Sequence, residues 1–172
     1  VTGVAGIAGG AVTIADPTSN DDALTTVTLT GYGTATVDSD VIETLNLTDS
    51  AAGITVTTGS TGSVTANLDG ITGAVSVDGG SATVTGLVIN TSGTASSSVV
   101  TATAATAVTI NAAANLTMGS TSNIDSATSI TVTGAGDVVL NGDASTSVLT
   151  SVNASASTGD VNMSGVLVTA AG

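Results

Sequence analysis

Carboxylates are almost the whole chemical inventory of this chain. Its 172 residues include 12 Asp, one Glu and one Tyr, and no Lys, Arg, His, Cys, Phe or Trp. Imidazole bases, thiolate nucleophiles, Schiff-base amines and cationic clamps for an oxyanion are therefore all missing. Paired carboxylates, as used in glycoside hydrolysis, are the one catalytic device left. Clefts for that chemistry are normally lined with aromatics, and Tyr32 is the only aromatic here. The chain reads as a non-enzyme.

Carboxylates without basic partners suit hard cations. The stretch DSDVIE (38–43) places Asp38, Asp40 and Glu43 within six residues. The two aspartates share one face of an extended segment, and Glu43 swings round if a turn follows. ADPTSNDDA (15–23) supplies Asp16, Asn20, Asp21 and Asp22 on a proline-containing loop. With no nitrogen or sulfur ligands available, Ca²⁺ is expected rather than zinc or copper. GAGDVVLNGDAS (134–145) adds Asp137 and Asp143 in an order close to the G-G-x-G-x-D-x-U-x calcium turn. The match is misspaced, because Asp137 follows Gly136 directly. The same stretch offers the G-x-G of a dinucleotide loop, but Val139 stands at the third glycine and no amphipathic helix follows. At Asp69, Asp78, Asp137, Asp143 and Asp160 the competing reading is that Asp and Gly only shape tight turns.

A net charge of −13 argues against nucleic acid or an anionic membrane surface, since phosphate contacts need Lys or Arg. It favours divalent cations, which relieve the self-repulsion of a compact acidic chain. The opening VTGVAGIAGGAVTIA is uncharged but too short and Gly-rich to span a bilayer, and it lacks the basic region of a secretory signal. We expect no membrane insertion and a chain that is part of a longer protein.

The elements that must hold these carboxylates are strands. Apolar residues make up 41% of the chain and recur with period two. TTVTLT (25–30), TATV (34–37), ETLNLT (43–48), ITVTT (54–58), AVSV (74–77), AVTI (107–110), SITV (129–132) and DVVL (137–140) all alternate between Gly, Asn, Asp or Ser turns. The Ala-rich 98–114 is the best helix candidate, yet its Thr and Val spacing suits strands better. These strands repeat. Ala105, Ala127 and Leu149 are 22 apart; each precedes an apolar pair (Val108/Ile110, Ile130/Val132, Val152/Ala154) and then a second (Leu116/Met118, Val138/Leu140, Val161/Met163). A shorter offset of about 18 aligns 24–38 with 42–59. Units of about 18–23 residues are too small to be domains and suit coils of a parallel β-solenoid, which bury their apolar faces by stacking. We expect an all-β, right-handed solenoid over 24–172 of roughly eight coils, about 40 Å long at about 4.8 Å per coil. Residues 1–23 form an irregular segment or a first coil. An immunoglobulin-like sandwich competes, but it would not repeat and would carry buried aromatics.

The phrases IETLNLT (42–48) and LTSVNAS (149–155), with SITVTGAGDVVLNG (129–142), resemble repeats of bacterial surface-layer proteins, the RTX-associated, type I-secreted kind found in Caulobacter-like bacteria. The resemblance covers about 24 to 169. It implies a calcium-dependent β-solenoid, exported to the cell surface, that self-assembles into a two-dimensional lattice, with any contact to surface polysaccharide made through other domains. Repeat modules of large adhesins look similar. A third possibility comes from the T-x-T rows (Thr26/Thr28/Thr30, Thr34/Thr36, Thr55/Thr57, Thr131/Thr133), which a solenoid would stack into an ice-binding array, although Thr is also an ordinary outward strand residue. The sequons at Asn46, Asn90, Asn115, Asn153 and Asn162 are expected by chance in so Ser/Thr-rich a chain.

Overall fold

A computed structural model describes residues 9–15, 23–59, 62–77, 84–141, 148–164 and 166. Sixteen short strands stack into three parallel sheets, and no helix forms among the described residues. The broad sheet carries seven strands: β2 (Thr26–Thr30), β4 (Thr44–Thr48), β6 (Ser63–Asp69), β8 (Gly86–Thr91), β11 (Ala107–Ala112), β13 (Ser129–Gly134) and β15 (Ser151–Ser157). A five-stranded sheet holds β1 (Val12–Ala15), β3 (Ala35–Asp38), β5 (Ile54–Thr57), β7 (Val75–Ser76) and β10 (Val100–Thr101). A four-stranded sheet holds β9 (Ser96–Ser98), β12 (Leu116–Met118), β14 (Val138–Leu140) and β16 (Val161–Asn162). Every pairing is parallel and joins one coil to the next. This is a β-solenoid of about six turns, fewer than the eight obtained by dividing chain length by coil length.

Alternation decides which side chains enter the rod. On the broad sheet Val27, Leu45, Ala66, Ile89, Ile110 and Val132 form one buried column, and Leu29, Leu47 and Leu68 begin the next. Each fully buried Leu or Ile contributes about 1.5–3 kcal/mol. The second column then changes character to Thr91, Ala112 and Gly134. Thr91 is buried there, with its hydroxyl donating to the Ala114 carbonyl and accepting the Ala114 N–H. Other buried hydroxyls are likewise committed between coils: Ser39 donates to Leu24 (2.9 Å), Ser98 to Gly73 (2.6 Å), and Ser122 accepts the Val100 N–H (3.0 Å). A narrow core with such bonds needs no rings.

Tyr32 is the exception, a ring with only 3% of its surface exposed. Its phenolic oxygen has no hydrogen-bond partner. Burial pushes the phenol up to about 12. The nearby Ser50 hydroxyl acts in the opposite sense, but it is spent on the Tyr32 carbonyl at 2.7 Å rather than on the phenol. A raised folded pKa means the contribution to stability is intact below pH about 10 and is lost as pH climbs toward 12. Tyr32→Phe removes an unsatisfied buried donor and leaves the ring. Thermal melts should show the variant equal to the parent or up to about 1 kcal/mol more stable at pH 7, with the alkaline loss between pH 10 and 12 abolished.

Candidate functional site

The surface is built from columns, because each outward position recurs one coil further on. On the broad sheet one outward column runs Thr26, Thr44, Thr65, Val88, Thr109, Thr131 and Asn153. Beside it runs Thr28, Asn46, Asn67, Asn90, Asn111 and Thr133, and here the side chains bond to one another. Asn46 donates to the Thr28 hydroxyl at 3.1 Å. Asn67, Asn90 and Asn111 each donate their amide to the Oδ1 of the preceding asparagine at 2.7 Å. Thr133 closes the ladder on Asn111 at 2.8 Å. These asparagines escape the sequence reading, which treats Asn46 and Asn90 as chance sequons. Their signal is an Asn between inward residues in LNL, ANL, INT and INA, separated by 21, 23 and 21 residues.

A second ladder edges the same sheet. Thr85, Thr106, Thr128 and Thr150 each donate a hydroxyl to the carbonyl one coil earlier, at 3.0–3.4 Å. Side chains thus bond successive coils in addition to the backbone.

The candidate calcium ligands fall into three groups. Asp16, Asp21, Asp22 and Asp143, with Asp78, lie outside the described residues. Asp38 and Asp40 follow the alternation of β3 and its turn, exposed on either side of buried Ser39, and Glu43 is exposed just before β4. Asp40 packs across Gly59 in the following coil, where a methyl would stand 2.8 Å from its Oδ1. Among the described residues no three carboxylates gather into a metal-holding group, so the structure does not bring Asp38, Asp40 and Glu43 together as one ligand set.

Asp137 occupies a corner column with Asn115 and Asp160, the three positions that the 22-residue repeat aligns. Its Oδ1 accepts the Asp160 N–H (2.9 Å), its Oδ2 accepts from the Asn115 amide (3.3 Å), and its own N–H donates to Asn115 Oδ1 (2.9 Å). Asp69 works similarly, accepting the Thr94 N–H at 2.7 Å. Both aspartates fasten one coil to the next. Among the described residues, the aspartate that takes the left-handed turn conformation is Asp49, at φ 51°, in a corner shared with Gly31, Gly70 and Gly93. Of the described carboxylates only Asp69 is half-buried and the rest are exposed; none enters the core.

This arrangement defines an acidic, parallel β-solenoid laced by side-chain ladders, with the described carboxylates on the outside. No family model, no curated protein and no solved structure matches the chain.

Proposed function

We propose that the chain is a structural segment of a secreted bacterial surface-layer protein, joined by Ca²⁺ into a two-dimensional lattice on the cell. The reading rests on the surface-layer-like repeats IETLNLT and LTSVNAS together with one structural observation. The described carboxylates sit on the outer surface of a stiff rod, no basic group in the chain neutralises them, and they are not gathered in threes. Ca²⁺ needs six to eight oxygens. A cation held by one or two carboxylates of this rod would complete its shell from a neighbouring molecule, which is what a cation-dependent sheet requires. Without the cation, like charges oppose joining of the rods through their carboxylate-bearing surfaces.

Electron microscopy of the purified protein tests this. Sheets are expected in millimolar Ca²⁺, dispersal in excess EGTA, and little recovery with Mg²⁺, which keeps its own water. Sheets that persist in EGTA, or dispersed molecules in Ca²⁺, would overturn it.

A further inference from the structure

We infer that Asn153 and Asn162 are acceptor sites for N-linked glycosylation of the folded chain, and that stacking closes the other three sequons to it. Five Asn-x-Ser/Thr triplets begin at Asn46, Asn90, Asn115, Asn153 and Asn162. Chance accounts for their number, but hydrogen bonding divides them. The Asn46 amide donates to Thr28 at 3.1 Å and accepts from Asn67 at 2.7 Å. That of Asn90 is held between Asn67 and Asn111, each at 2.7 Å. Asn115 donates to Asp137 Oδ2 (3.3 Å) and accepts the Asp137 N–H (2.9 Å). In all three the nitrogen that would carry a sugar is already engaged between coils. Among the described residues no hydrogen bond engages Nδ2 of Asn153 or Asn162, and both side chains are exposed.

These two sequons also have the local geometry that the chemistry needs. A carboxamide nitrogen is a poor nucleophile because its lone pair is delocalised onto the oxygen. It gains reactivity as a proton leaves and charge collects on Oδ1, a change that donors aimed at Oδ1 stabilise. Asn153 Oδ1 accepts both the Ser155 N–H at 3.0 Å and the Ser155 hydroxyl at 2.7 Å. Asn162 Oδ1 accepts the Ser164 N–H at 3.0 Å. Both are Asx turns, which fold the third sequon residue back on the first. At Asn153 the turn has a structural cause. Thr131 pairs with Asn153 and Thr133 with Ala156, so Ala154 and Ser155 stand against Val132 alone. Such a bulge re-aims side chains out of the ladder. β15 and β16 are the outermost strands of their sheets among the described residues, and an exposed strand edge is what an enzyme groove can grip. The substrate is a sugar activated at its anomeric carbon as a phosphate ester. Nδ2 bonds to that carbon as its bond to the phosphate oxygen breaks. The phosphate leaves with the electron pair, and one Nδ2 proton passes to a base of the transferase. This site is independent of calcium and of lattice assembly.

The test offers the folded protein to sequon-reading transferases in two arms. One pairs a soluble enzyme with UDP-glucose, the other a membrane oligosaccharyltransferase with a lipid-pyrophosphate-linked oligosaccharide. Cleavage before aspartate then separates Asn153 (143–159) from Asn162 (160–172) and both from the other three sequons, and mass spectrometry locates the sugar. Transfer to Asn153 and Asn162 is expected in at least one arm, and the arm that succeeds identifies the donor. Asn46, Asn90 and Asn115 should react at least about tenfold more slowly, since a bonded amide must first be released. Asn153→Gln should lose sugar from 143–159 and keep it on 160–172. The aspartate digest, used as acceptor in place of the folded protein, should take sugar at Asn90 and Asn115 as well, because cleavage dissolves the stacked coils. Folded protein left bare in both arms overturns the inference, as do equal rates at all five sequons. A digest that still spares Asn90 and Asn115 overturns the protective role of stacking, and a single bare site strikes that site alone.

Discussion

Gly134→Ala should lower stability by about 3–5 kcal/mol, while Gly53→Ala should change it by less than about 0.5 kcal/mol. Gly134 ends β13 at φ +101°, a backbone conformation that L side chains rarely adopt. A Cβ there would also run into the Ala112 carbonyl of the preceding coil, which is held in place by accepting the Gly136 N–H at 2.8 Å. Backbone strain and backbone overlap act together, and neither has a flexible side chain to relieve it. At Gly53 the nearest atom to an added Cβ is the Ala74 carbonyl oxygen at 3.5 Å, an ordinary contact, and φ is not positive. Urea denaturation of the two variants checks the contrast. Equal midpoints would mean that the stacked coils have more slack at this corner than close backbone approach allows.

That glycine belongs to the stretch GAGDVVL, which the sequence alone leaves open between a calcium turn and a plain corner. The repeat itself is legible. Inward pairs set 22 residues apart by alternation stack in the register expected, Val108 with Ile130 and then Val152, Leu116 with Val138 and then Val161. The 18-residue offset likewise puts Val27 on Leu45 and Leu29 on Leu47. Period two survives in the sequence because each coil buries the same face.

Other features are hidden for physical reasons. In β8 (GLVINT) outward Val88 interrupts the apolar–polar alternation, so the run Leu87-Val88-Ile89 loses its period-two signature. The asparagine ladder is hidden because coil length wanders: corners absorb the extra residues, while strand register is restored every turn. A column is a property of stacking and is read only after the coils are aligned. Burial and hydrogen bonding likewise separate roles that composition merges. Asp137 looks like a free ligand in the sequence, yet it receives the backbone N–H of Asp160. A cation at that corner must compete with this bond. The exposed Asp38 and Glu43 are better placed to meet a neighbour.

The ladder makes the second large prediction, because its chemistry is directional. Asn67 donates to Asn46 Oδ1 and accepts from Asn90 Nδ2, each at 2.7 Å. Asn67→Ala removes both bonds at a half-buried site and should cost about 1–2 kcal/mol. Asn67→Asp keeps the shape and the acceptor but turns the donating end into an anionic oxygen facing the Asn46 oxygen. At pH 7 it should cost about 2–4 kcal/mol, more than deletion of the side chain. The sign of its pH dependence follows. The introduced carboxyl is disfavoured as an anion, so its folded pKa lies above the unfolded value of about 3.9. Stability relative to the parent is then recovered below pH about 4, where the protonated oxygen can again donate, and is lost as pH rises through the folded pKa. Denaturation of parent and variant side by side at pH 3.5 and pH 7 measures the difference, with the parent cancelling the common effect of protonating the native carboxylates. A penalty for Asn67→Asp that stays the same at both pH values would show that the amides lie beside one another without bonding.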